Sequence, residues 1–149
     1  MTESTQSSRA GMLSVMVNNC FGGFGLSQEA IAEYYRRTRE LATSSICRHD
    51  PVMVQIVREM GHRANDRYAR VELEDIPAEY ADFYIIQEYD GRETLVIEYD
   101  RYKVAMAKMI LKNQNLSHKE RLARISAVLY STEGDADQDR ANVRSVVYP

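Results

Sequence analysis

The stretch from Val15 to Ala30 constrains this chain more than any other, because it joins an apolar run to a helical run through three glycines in four positions. Val15-Met16-Val17 leads through Asn18-Asn19-Cys20-Phe21 into Gly22-Gly23-Phe24-Gly25, and Leu26-Ser27-Gln28-Glu29-Ala30 follows at once. Glycines at that density specify backbone dihedrals or close approach rather than side-chain chemistry. Ser27 suits a helix N-cap, and Glu29 falls in the first turn, where the helix dipole favours negative charge. The expectation is a strand, a tight turn and a helix in direct succession.

Around that junction the apolar periodicity predicts a small α+β protein. Met12 to Val17 forms the first strand, apolar on both faces. After Ser27, Ile31, Tyr34, Tyr35, Thr38, Leu41 and Ala42 make one helical stripe. Asp50-Pro51 is a strong helix start, Met53, Ile56, Val57 and Met60 continue it, and Gly61 is placed to end it. Val71 and Leu73 alternate with charged residues until Pro77 breaks the pattern. Phe83–Tyr89 and Arg92–Tyr99 flank Asp90-Gly91, a hairpin signal that sets Glu88 against Glu93 and calls for a basic neighbour. Val104, Ala107, Ile110 and Leu111 then share a helix face, and Ser117-His118-Lys119-Glu120 has the form of a capping box ahead of Leu122, Ile125 and Leu129.

These elements give a sheet of about four strands with two helices against it, a C-terminal helical hairpin, and extended N- and C-terminal arms. The expected divisions are an arm over residues 1–11, a body over 12–100, a helical extension over 101–130, and an acidic linker with a β-prone arm over 131–149. At 149 residues the body needs no staples, and two cysteines make no disulfide framework. Neither a signal-peptide core nor a membrane-length apolar run is present, so the secretory route is not expected. A net charge of -3 argues against a surface built wholesale for nucleic acid. Ten Tyr against three Phe and no Trp suit half-exposed strands first and interfaces second.

The run Val17-Asn18-Asn19-Cys20-Phe21-Gly22-Gly23-Phe24-Gly25-Leu26-Ser27 resembles the Asn-x-Cys-(Phe/Tyr)-Gly-Gly-Phe-x-Leu-Ser signature of a family of small proteins encoded by tailed phages and large DNA viruses. The resemblance resumes at Asp50-Pro51-Val52 through Glu59-Met60-Gly61, at Ala64-Asn65, at Ile76-Pro77 and at Glu88-Tyr89-Asp90-Gly91, and covers residues 12–100. It implies a viral setting, with a virion or the host cytoplasm as the expected location, and brings no activity with it. The chain departs from the pattern in a short segment between its first two helices and in the extension after residue 100, where a function special to this protein is expected.

Strand, glycine turn and helix also have the layout of a phosphate-binding turn, with Gly22, Gly23, Gly25 and Ser27 as the anion-binding candidates. Gln28 stands where a dinucleotide fingerprint needs its third glycine, and no Gly-Lys-Ser/Thr follows, so a structural turn is the stronger reading. Cys20 stands near a helix N-terminus, where a thiol pKa is lowered, yet a buried cysteine ending a strand is the commoner case. His49, His62 and His118 lie on separate segments, so neither a metal site nor a catalytic set is expected, and no cofactor.

Arginines are dense over residues 36–70, but Glu33, Glu40, Asp50 and Glu59 are interspersed, which favours a solvated face of ion pairs. Arg36 and Arg37 are nonetheless the interaction candidates there, with Val143, Val146, Val147 and Tyr148 in the terminal arm. The resulting expectation is a viral structural or interaction protein, most concretely a minor virion component bound through its arms to other structural proteins or to copies of itself. The alternative is a small viral protein holding a nucleotide or another anion at the glycine turn. An enzyme ranks below both.

Overall fold

A computed structural model describes residues 11–131 of the chain. Strand β1 (Met12–Asn18) runs antiparallel to β2 (Val71–Pro77), with Met12 opposite Pro77 and Asn18 opposite Val71. Helix α1 (Gln28–Thr38) and helix α2 (Pro51–Met60) lie between them in the chain. Strands β3 (Tyr84–Tyr89) and β4 (Arg92–Ile97) form a second two-stranded sheet, and helices α3 (Tyr99–Lys112) and α4 (His118–Leu129) follow. The fold is α+β, with four α-helices among the described residues. The described residues divide into two compact units, one comprising residues 11–82 with Ile86–Leu95, the other Phe83–Ile85 with residues 96–131.

The core of the first unit gathers Met16 and Val71 from the sheet, Ala30 and Tyr34 from α1, and Met53, Val54, Ile56 and Val57 from α2. Local chemistry delivers these residues to it. Ser27 Oγ accepts the Ala30 N–H and caps α1, while Asp50 accepts the Met53 N–H and caps α2 ahead of Pro51. Gly61, at φ +58°, ends α2 with its N–H on the Val57 carbonyl. Tyr34 is buried with its hydroxyl donating to Asp50, and burial first, then the charge of Asp50, raises the pKa of the phenol.

Two expectations need correction. Helix α1 ends at Thr38, so Leu41 and Ala42 are not part of its stripe. Arg39 turns left-handed at φ 63° and donates its N–H to Tyr35, and Thr38 Oγ donates back to the Tyr34 carbonyl. Leu41 is accordingly exposed.

The single sheet of about four strands is instead two sheets of two. The edge of β1 that a third strand would need already has partners. Met16 N–H donates to the Arg48 carbonyl at 2.7 Å, the Arg48 guanidinium donates to the Met16 carbonyl at 3.2 Å, and Asn18 N–H donates to the Glu93 carboxylate at 2.8 Å. A loop and two side chains satisfy the groups that a ladder would otherwise use.

In the second unit, Phe83 and Tyr102 meet edge to face at 5.3 Å, with Arg101 over the Phe83 ring. Ser117 and Glu120 close a capping box at the start of α4, and the Arg121 guanidinium donates to the Asn113 carbonyl in the connecting loop. No helix of the described residues is long and apolar enough to cross a membrane.

Candidate functional site

The glycine turn is a joint in which four segments meet. A Cβ on Gly22 would stand 1.6 Å from the Tyr68 carbonyl oxygen, so that residue is fixed by close approach of backbone to backbone. Gly23 has open space around it but sits at φ +87°, so conformation fixes it instead. The turn between β3 and β4 closes onto the same place. Asp90 and Gly91 both have positive φ, and a Cβ on Gly91 would lie 2.4 Å from the Gly23 nitrogen.

Asn18, with no exposed surface, ties these pieces together. Its amide donates to the carbonyls of Gly91 at 2.7 Å and Cys20 at 2.9 Å, and its Oδ1 accepts the Arg70 N–H at 2.8 Å. Cys20 is half-buried, with Sγ 3.1 Å from the Tyr68 carbonyl and 3.5 Å from Asn18 Oδ1. Beside Asn18 runs a bidentate ion pair, Arg48 to Glu93, both bonds at 2.7 Å. The guanidinium also lies 3.5 Å over the Phe24 ring. Arg48 is the base that Glu93 finds, while Glu88 accepts the Gly91 N–H. Every buried side-chain nitrogen and oxygen among the described residues has a hydrogen-bond partner.

The four anion candidates are brought together, and the donors of Ser27 are in use. Ser27 donates its N–H to the Ala64 carbonyl and its hydroxyl to the Arg63 carbonyl, while Gly25 O accepts the Asp66 N–H. A Cβ on Gly25 would stand 3.0 Å from Asp66 Oδ2, which places a carboxylate next to the turn. No cluster of three His, Cys, Asp or Glu residues suited to a metal occurs among the described residues.

Arg36 and Arg37 lie far from this joint in role: both bond Glu33, and Arg37 also reaches Glu59 across to α2. The two guanidiniums bonded to Glu33 hold its carboxyl at about 2, below the usual 4.5. A depressed carboxyl contributes stability that is complete above the usual value and disappears as pH falls through the lowered one. Glu33→Gln is therefore expected to lower Tm at pH 6, with the gap from wild type closing as the pH approaches 2. Parallel thermal melts across that range check it, and a gap that persists unchanged in acid would refute it.

Val143, Val146, Val147 and Tyr148 lie outside the described residues, as do nearly all of the two arms. The described extension has its own unusual surface. No residue of α4 is buried, and Leu122, Leu129 and Tyr130 are exposed, as are Val104, Met109 and Leu111 on or near α3. The sequence stripe through Leu122, Ile125 and Leu129 was the available signal; what it could not show is that Ile125 is half-buried while Leu122 and Leu129 stay exposed. Comparison with family models, with curated proteins and with solved structures gives no match.

Proposed function

We propose that this is a viral structural or interaction protein, most concretely a minor virion component whose α3–α4 pair and terminal arms engage neighbouring structural proteins or further copies of the chain. The observation that carries the reading is the apolar surface of α4, a helix with no buried residue that still presents Leu122 and Leu129 to solvent. Exposed apolar residues grouped on one element mark contact surfaces. The first unit supports the reading from the other side, since the buried side-chain nitrogens and oxygens among its described residues are all partnered and Gly22 and Gly91 answer to close approach. The viral setting comes from the resemblance of residues 12–100, and the extension beyond it is where a specific role belongs.

Mass spectrometry of purified particles of the encoding virus tests the proposal. Recovery at a stable ratio to the major structural protein is the expected result, and absence from mature particles overturns it. The alternative, an anion or nucleotide at Gly22, Gly23, Gly25 and Ser27, has less support, because the Ser27 groups are already bonded within the chain and Asp66 flanks Gly25. A nucleotide-dependent rise in Tm that vanishes in Gly23→Val would favour it instead.

A further inference from the structure

We infer that the partner of the α3–α4 pair is an acidic amphipathic helix of another protein, whose apolar stripe covers the exposed leucines and whose carboxylates meet the basic residues that flank them. The inference rests on the reading of this face as a docking surface and adds the chemistry of what docks. Helices α3 and α4 carry seven Lys and Arg against two carboxylates, Asp100 and Glu120, in a chain whose net charge is -3. Three of the seven are held within the chain: Arg101 pairs with Glu98, Lys103 donates to the Ser131 carbonyl, and Arg121 donates to the Asn113 carbonyl. Lys108, Lys112, Lys119 and Arg124 are exposed and pair with no carboxylate of the described residues.

The spacing of the apolar residues gives the partner its shape. Val104 and Leu111 stand seven apart on α3, and Leu122 and Leu129 stand seven apart on α4, so each pair returns to one line along its helix. Leu111 is 61% exposed and Leu122 64%. Three residues beyond Val104 and Leu122 come Ala107 and Ile125, both half-buried, which leaves the outward flank of each line to Lys108, four beyond Val104, and to Lys119, three before Leu122. Lys103 and Arg121, one residue before Val104 and Leu122, fill the other flank. Each line is a short heptad seam bordered by positive charge, and in paired helices the bordering positions select the partner by its charge. A helix with an apolar stripe and Glu or Asp at those positions completes the seam.

Charge separates this occupant from the others that an apolar face could take. A second copy would bring lysine against lysine along the seam. A helix lying on a lipid surface keeps its cations on the face away from the acyl chains, whereas Lys108 and Lys119 stand within one turn of exposed apolar residues on the same side. Nucleic acid matches the charge but offers its phosphates nothing to bury the leucines with.

Full-length protein is titrated with two fluorescein-labelled helical peptides of equal length, with the same Leu and Ile at the seam positions and either Glu or Lys at the flanks. Fluorescence anisotropy at low salt is expected to show the Glu peptide bound about tenfold more tightly than the Lys peptide, and 1 M salt to remove most of the difference. In Lys108→Glu with Lys112→Glu and Lys119→Glu, exposed changes that break no ion pair of the described residues, the preference is expected to reverse. In Leu122→Ser both peptides are expected to bind more weakly with the preference kept. Equal affinity of wild type for the two peptides, or a preference that the charge reversal leaves intact, overturns the inference.

The other occupants have their own readouts. Tighter binding to phosphatidylserine vesicles or to a single-stranded oligonucleotide than to the Glu peptide assigns the face to lipid or nucleic acid, and carbodiimide cross-links from Lys108 or Lys119 to the chain's own carboxylates in the free protein assign it to the chain itself. Each of these overturns the acidic partner. Failure here is separate from failure of the virion proposal. A preference for the Glu peptide in a protein absent from particles sinks only the virion proposal, and charge-blind binding in a virion component sinks only the partner named here.

Discussion

Gly22→Ala is expected to unfold the first unit at moderate temperature, while Gly23→Ala costs about 1–2 kcal/mol and leaves the fold intact. The two glycines are neighbours and differ in what holds them. A Cβ on Gly22 would overlap the Tyr68 carbonyl at 1.6 Å, and backbone on both sides must part by more than an ångström to admit it. Parting them also breaks the Sγ contact of Cys20 to that same carbonyl and pulls on Asn18, so the loss should exceed about 3 kcal/mol. Gly23 meets nothing within 4 Å and carries only the penalty of φ +87°. Urea titration of both variants checks the contrast, and near-equal midpoints would mean that close approach is not what selects Gly22.

Removing either partner of the Arg48–Glu93 pair is expected to cost about 3–5 kcal/mol, with Arg48→Ala at the upper end because it strands the nearly buried Glu93 carboxylate, whereas Glu93→Ala leaves Arg48 with some access to water. Replacing both by apolar residues should recover only part of the loss. Buried ion pairs can often be exchanged for hydrophobic ones at little cost, but here the Asn18 N–H loses its acceptor and the Met16 carbonyl loses a donor. A double-mutant cycle on Arg48→Met and Glu93→Leu separates these contributions. A fully restored double variant would show that the pair contributes only to its own neutralisation and not to the edge of β1.

Much of the fold could be read from the chain because local signals and tertiary structure agree there. Ser27, Asp50-Pro51, Gly61 and the Ser117–Glu120 box all act where their chemistry places them. The C-terminal end of α1 could not be read, since Leu41 and Ala42 extend the apolar spacing while Arg39, rather than a glycine, takes the left-handed position. The joint itself was half legible. Its glycines stand out in the sequence, but Asn18, Arg48 and Glu93 come from a strand end, a loop and a second strand, and only the acidic pairing of Glu88 with Glu93 hinted that a base was needed. Long-range polar contacts of this kind leave no periodic trace.

The way β1 is finished has a consequence for the chain at high concentration. A bare strand edge invites pairing with any other extended segment, and proteins that must crowd together without coalescing blunt such edges. Here Arg48 and Glu93 act as a stopper on β1, denying an incoming peptide the amides and carbonyls needed for fibril-like stacking. Sheet growth from that side of β1 is closed off.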